Sequence, residues 1–334
     1  MKRDNIWHRI LVIGETGLIA AGLFYFMLGL WLGQDAFEFY SNFTVTAVLL
    51  IVFFCVSFYI ICRFNYTKEI SGVTTPLSEI VHIFDNYRFL MKQLIARDFA
   101  VKYRRSYLGI VWVILNPLLQ MIVLSAVFSY VFRFDIENYP VYIILGQITF
   151  SFFNEATSVA VSTIVASGDL IKKIYIPKCI FPLSKIVFSF LNLLLSFIPV
   201  VIVLLIFRIP INIHWLYLPF YFVTLFAFTL GVGFFLAALN VQLRDTQYLY
   251  GIFTTLLIYV TPVFYPVSAL SPNVQKIMRF NPVYQYISLI REIIFYNAAP
   301  SMQHIMICVL CGILTLMIGL RFFFKKQDEF ILYV

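Results

Sequence analysis

The chain reads as an all-α polytopic membrane protein, and three observations carry that class. Between Leu108 and Phe324 lie six apolar stretches, each near the ~20 residues that cross a bilayer at about 1.5 Å per residue, and two more precede them. The composition is 62% hydrophobic and only 12% charged, with a mean hydropathy of +0.91; an ordinary globular domain is about 25% charged. The basic residues are also unevenly placed. On the topology below, Arg133, Arg208, Lys276, Arg279 and Arg291 fall on one side and the other 19 of the 24 Lys and Arg on the opposite side. That asymmetry is the positive-inside signature. It argues against nucleic-acid binding, in which the basic excess gathers on one soluble face.

Taken in order, the spans are expected near 10–32, 43–62, 108–132, 141–165, 183–207, 215–239, 249–265 and 304–324. Segments 63–107, 166–182, 240–248 and 321–334 then share a side with the N-terminus, which the basic bias makes cytoplasmic. Both termini are expected inside, in a cytoplasmic (inner) membrane. Lys2, Arg3 and Arg9 before an apolar run resemble a secretory signal, but no small-residue cleavage pattern follows, so the run reads as retained. The division is a two-span extension over 1–75, an amphipathic helix over 76–107 and a six-span core over 108–334.

Within 78–95, Ile80, Ile83, Phe84, Tyr87, Leu90, Met91, Leu94 and Ile95 recur at helical spacing. The spacing predicts an amphipathic helix on the cytoplasmic membrane surface; a helix packed on a partner shows the same pattern. From Thr261 to Tyr296 the chain stays apolar but is broken by Pro262, Pro266, Pro272 and Pro282. Irregular backbone at membrane depth must be buried in protein or line a wet cavity, so short re-entrant helices on the outer side fit best.

Polar residues form stripes inside three spans: Gln147, Ser151, Asn154, Ser158, Ser162; Lys185, Ser189, Asn192, Ser196, Pro199; and Tyr248, Gly251, Thr255, Tyr259, Pro262. Asn116 and Gln120 make a shorter one. Such residues either hydrogen bond between packed helices or line a hydrophilic path. The stripe of Tyr248, Thr255 and Tyr259 leans towards a lining, because aromatic faces stack on sugar rings. Glu155, deep in its span, is either a functional acid or a hydrogen-bonded structural carboxyl. Ala227 and Gly231 form a small-xxx-small pair suited to close helix packing. Five cysteines show no metal-ligand spacing with the four histidines and read as packing residues, with no metal site expected. The chain has no GxxxxGK[ST] loop, HExxH or GxSxG. Any ATP is therefore bound by another chain.

Five separated motifs remain: RDFAVKYRRSYLGIVWVILNPL from Arg97, SGDLIKKIYIPKCIFPLSK over 167–185, LNVQLRD over 239–245, TPVFYPVSAL over 261–270, and Asn281–Pro282. Their order and spacing closely resemble the membrane subunit of ABC-2 type polysaccharide exporters, which move lipid-linked O-antigens, teichoic acids and capsule-like polymers. The resemblance covers roughly 78–334; the two spans before it are additional to the usual six. It implies a homodimer with a channel between the copies, and two copies of a separate ATPase that carries ATP and Mg, with no cofactor on this chain. It further implies a coupling element with Asp169, Lys172 and Lys173. Arg97, Asp98, Lys102, Arg104 and Arg105 would form a cytoplasmic gate that meets the pyrophosphate-lipid head. Trp112, Asn116, Gln120, Tyr248, Thr255 and Tyr259 would line the path, and Pro262, Tyr265 and Pro266 would belong to an outer gate. None of these residues is expected to perform bond chemistry. The alternatives are an exporter of small amphiphiles or lipids, a membrane-embedded glycosyl- or acyltransferase, and a proton-coupled flippase using Glu155.

Overall fold

The computed structural model describes residues 76–104, 106–132, 136–173 and 176–333. The two expected N-terminal spans and Arg105 lie outside them. The described elements are helices joined by short turns. Five segments among them are long and apolar enough to cross a membrane: Gly109–Tyr130, Tyr139–Ala166, Ile180–Ile206, Ile213–Gln242 and Met302–Tyr333.

Helix α1 (Pro76–Tyr103) lies within the expected 76–107 segment and continues eight residues past the 78–95 apolar pattern. Asp98, Phe99 and Tyr103 pair with Lys185, Phe188 and Asn192 of α5 (Ile180–Leu195). The last two turns of α1 thus climb beside α5 instead of ending flat on a surface. A tight turn follows, in which Gly109 takes φ +47°, a conformation that disfavours side chains. Helix α2 (Trp112–Val127) then runs through Pro117 and ends in one wide turn, Phe128–Phe132.

Helix α3 (Tyr139–Ala166) is the centre of the bundle. At 28 residues it is about 42 Å long, and α2, α5, α7 (Leu218–Gln242), α8 (Thr246–Val260) and α10 (Pro282–Ile294) all pack against it. Most of its circumference is buried against these helices, and its polar stripe, with Ser151 and Ser158 exposed, is the side left open. The expected span 183–207 is interrupted. α5 stops at Leu195 and α6 (Phe197–Ile206) starts after Ser196, because Pro199 has no N–H for the Leu195 carbonyl.

α7 and α11 (Met302–Lys326) share the most extensive packing in the chain. At their crossing a Cβ on Gly319 would collide with the Gly231 carbonyl, and one on Gly231 would collide with the Thr315 backbone. The small-residue pair expected at Ala227 and Gly231 therefore meets Gly312, Thr315 and Gly319.

The fifth expected core span, 249–265, is shorter than predicted. α8 has 15 residues, about 22 Å, and ends at Val260. Thr261 is extended (ψ 131°) because it precedes Pro262, whose ring excludes the helical conformation one residue earlier. Beyond it lie a 3₁₀ turn (Val267–Ala269), α9 (Pro272–Met278) and α10, so the expected broken helices are present.

The two ends of the bundle differ in chemistry. At the basic end, α4 (Gly168–Lys173) contacts the terminal helix α12 (Phe330–Tyr333). There Lys178 donates to the Gln327 carbonyl, Gln242 bonds Glu329 at 3.1 Å and Arg244 reaches the Tyr333 carbonyl at 2.9 Å. Three of the four segments assigned to one side by the basic bias, 166–182, 240–248 and 321–334, therefore meet in space. At the far end, Tyr139 and Tyr142 bond the 264–265 carbonyls, and Asn297 reaches the Pro210 carbonyl at 3.3 Å.

Candidate functional site

A cleft of about 350 Å³ opens between the end of α1, α2, α3 and α5. Its walls gather residues from three of the polar stripes: Asn116 and Gln120 of α2, Gln147 and Ser151 of α3, and Ser189, Asn192 and Ser196 of α5 and its end. Helical spacing accounts for this convergence, since each stripe occupies one face and α3 presents its face to both neighbours. Gln147 donates to Gln120, Gln120 donates to Asn116 at 3.1 Å, and Tyr103 donates to Asn192 at 3.3 Å. Trp112 stands in the wall with 41% of its surface exposed.

The cluster before the first span divides into two ion pairs. Asp98 is 8% exposed and accepts from Lys185 at 2.7 Å, with Arg97 3.4 Å away. Lys102 lies 2.6 Å from Glu155 at the cleft wall. Glu155 is thus a paired carboxylate rather than a lone intramembrane acid. Arg104 is exposed in the turn after α1.

The path residues expected on the fifth core span are elsewhere. Tyr248 and Tyr259 are 68% and 69% exposed and share an open face of α8 with Gly251 and Thr255; none lines the cleft. Within this one chain the two sets of path residues, on α2 and on α8, are not brought together. Between them α3 shows an exposed polar strip of Ser151 and Ser158. Other polar residues, unflagged by any stripe, hold helices together: Thr149 with Tyr221 at 2.6 Å, Thr157 with Tyr250 at 2.6 Å, and Asn240 with the Val161 carbonyl at 3.0 Å.

At the far end, Pro262 is buried and Tyr265 and Pro266 are half-buried. They sit in a segment tied down through its carbonyls. Arg291 of α10, 3% exposed, donates to the carbonyls of Pro262 (2.8 Å), Val263 (2.6 Å) and Tyr142 (3.1 Å). Gly146 leaves room for it, because a Cβ there would lie 2.6 Å from the guanidinium. Asn281, the N-cap of α10, donates to Thr261 at 2.8 Å. In the sequence alone Arg291 stands only as one of five basic residues expected on the outer side. The available signal was an arginine inside the apolar helical run Tyr286–Phe295, where an isolated charge must find buried partners.

At the basic end, α4 buries Gly168 and Ile171 and exposes Asp169, Lys172 and Lys173. Below it Lys178 lies over the Phe330 ring at 5.9 Å, and burial lowers its pKa while Asp328 opposes that shift. α4 is therefore a short ledge, anchored on one side and charged on the other.

Comparison with known proteins identifies the family. The chain matches the "ABC-2 type transporter" family over residues 90–295. It is 28% identical over 247 residues to the O-antigen export system permease protein RfbA of Myxococcus xanthus, covering 73% of this chain and 95% of that protein. RfbA of Klebsiella pneumoniae is 27% identical over 250 residues, 75% and 95% of the two chains. The polysialic acid transport protein KpsM of Escherichia coli is 20% identical over 258 residues, 73% and 96%. Each alignment takes in nearly the whole relative but about three quarters of this chain, which is the longer protein. With the family match spanning well over half of its residues, the chain belongs to the ABC-2 type transporter family.

Proposed function

We propose that this chain is the permease subunit of an ATP-driven exporter that moves a lipid-linked polysaccharide across the cytoplasmic membrane. It works as a homodimer beneath which two copies of a separate ATPase carry ATP and Mg. The names of its relatives, O-antigen and polysialic acid transporters, support the substrate class. The basic end faces the cytoplasm, in keeping with the bias of 19 of 24 Lys and Arg, and both termini lie there.

The observation that carries this reading is a partly polar face without a partner among the described residues. α2 exposes Trp112, Asn116 and Gln120, α8 exposes Tyr248, Thr255 and Tyr259, and the Ser151–Ser158 strip of α3 lies between. A lone chain would turn these amides, hydroxyls and rings to hydrocarbon, where polar groups have no partners. Two copies brought face to face enclose them as a conduit. Energy enters at the basic end: the ATPase grips the charged face of α4 through Asp169, Lys172 and Lys173, and its closure tilts the spans. Arg97, Arg104 and Arg105 meet the anionic lipid head as it arrives. Pro262, Tyr265 and Pro266 close the far end.

The test is reconstitution of this chain with its ATPase into vesicles holding an undecaprenyl-linked glycan. ATP-dependent movement of the glycan is expected. Movement of a small amphiphile but of no glycan would refute the substrate class. Uphill transport by this chain alone would refute the division of labour.

A further inference from the structure

We propose that the cleft inside each protomer, between α1, α2, α3 and α5, is a binding pocket for one neutral sugar ring of the polymer. This rests on the exporter reading for the identity of the cargo, but the pocket itself rests on three side chains. Gln147, Ser189 and Asn192 line the cleft and are 6%, 2% and 5% exposed. Gln147 Oε1, Ser189 Oγ and Asn192 Nδ2 have no hydrogen-bonding partner among the described residues. Buried polar atoms are nearly always paired, so three orphans around one cavity mark the place of something that pairs them.

Their chemistry selects the guest. Asn192 Nδ2 offers a donor, Gln147 Oε1 an acceptor, and Ser189 Oγ serves as either. A sugar ring meets all three, because each hydroxyl both donates and accepts. The phosphate diester of a lipid head keeps no P–OH at neutral pH, so it only accepts and cannot satisfy Gln147. Inorganic phosphate is mostly anionic and finds no free cation among the described wall residues. The one cation among the described wall residues, Lys102, is already neutralised by Glu155 at 2.6 Å, so these walls do not attract an anion. The apolar body of an amphiphile satisfies none of the three atoms. The volume of about 350 Å³ is at the lower end for small-molecule sites and about ten times the ~30 Å³ share of one water. Trp112, exposed in the wall, offers the flat apolar face on which sugar C–H groups pack. The inner walls of this pocket belong to one protomer and its α2 rim, Trp112, Asn116 and Gln120, also faces the conduit between two, so polymer threads past one ring-sized station on each side.

The experiment is saturation-transfer NMR on the purified full chain with its ATPase, using a panel of methyl hexopyranosides at millimolar concentration. Magnetisation transfer to ring protons is expected with at least one glycoside. It falls at least fivefold in Asn192→Leu and in Gln147→Leu, holds in Met306→Leu on α11, and is not displaced by equimolar inorganic phosphate. Absence of transfer, transfer unchanged in the cleft variants, or displacement by phosphate overturns the pocket. If the leucine variants fail to give monodisperse protein, Ser189→Ala substitutes for them, with at least a twofold fall expected and an unchanged signal overturning the pocket. Cleft-dependent glycoside binding in a chain that exports no glycan would leave the pocket standing and remove the exporter reading. Glycan export without cleft-dependent binding would do the reverse.

Discussion

The guanidinium carbon of Arg291 lies 3.4 Å from the centre of the Tyr142 ring, while its nitrogens hold the Tyr142 carbonyl. Ring and carbonyl together supply what a carboxylate would otherwise provide for a buried cation. The remaining N–H groups fix the carbonyls of Pro262 and Val263. One side chain thereby joins α10, α3 and the segment after α8.

That junction predicts a loss whether or not the replacement keeps the charge. Arg291→Lys keeps the charge but loses the planar fork, so about 2–3 kcal/mol of stability is expected to be lost. Arg291→Gln should cost a comparable amount by leaving carbonyls of Tyr142, Pro262 or Val263 unpaired. Thermal unfolding of the purified chain in detergent measures both. Stability equal to the parent's in either variant would contradict the clamp.

The glycines at the α7–α11 crossing should tolerate no side chain. Gly319→Val is expected to abolish accumulation of folded protein, since overpacking costs about 1–3 kcal/mol even where neighbours can shift and here the obstacle is backbone. Gly251→Ala is the contrast: nothing lies within 4 Å of a Cβ at that position, and a helical Gly→Ala change gains roughly 0.5–1 kcal/mol. Yield of monodisperse protein reads out both substitutions.

Lys102 and Glu155 are 40% and 36% exposed in their ion pair, so the pair contributes only about 0–1 kcal/mol to stability. Glu155→Gln is accordingly expected to leave ATP-driven transport within roughly twofold of the parent. Lys102→Glu should impair it by setting two carboxylates together, and Lys102→Glu with Glu155→Lys should restore it. A proton-coupled mechanism predicts the opposite: loss in Glu155→Gln and no rescue by the exchange.

Reversing the charge on α4 should separate the subunits without unfolding the chain. Lys172→Glu with Lys173→Glu is expected to lower co-purification of the ATPase at least tenfold, because both side chains are exposed while Gly168 and Ile171 hold the helix in place. Retained co-purification would exclude α4 as the coupling ledge.

Pairing of two copies across the α8 face makes Tyr259→Cys a reporter of the dimer. With the native cysteines replaced, oxidation is expected to give a disulfide-linked dimer. Ile293→Cys, buried within one chain, should give none. A monomer only from Tyr259→Cys, and from Tyr248→Cys and Leu256→Cys on the same face, would place the interface elsewhere.

The periodic features were legible in the sequence. Four of the six core spans lie close to their predicted limits because apolar runs of that length leave little choice. The stripes at Gln147 and Ser189 share a cleft because residues three and four apart must share a helical face. What escaped depended on three-dimensional partners. The climb of α1 beside α5 needs Asp98 to find Lys185, 87 residues away. The break at Ser196 was concealed by an unbroken apolar run in which Pro199 was read as part of a stripe. Arg291 was missed because its partners are carbonyls, which no side-chain motif records. The early end of α8 was in principle readable from Pro262.

At the Gly231–Gly319 crossing, backbone rests on backbone. Two helices separated by side chains can shear by changing rotamers, but these have none between them to turn. α7 and α11 must therefore travel as a single keel through any transport cycle, and relative movement is left to the loosely held α2 and α8.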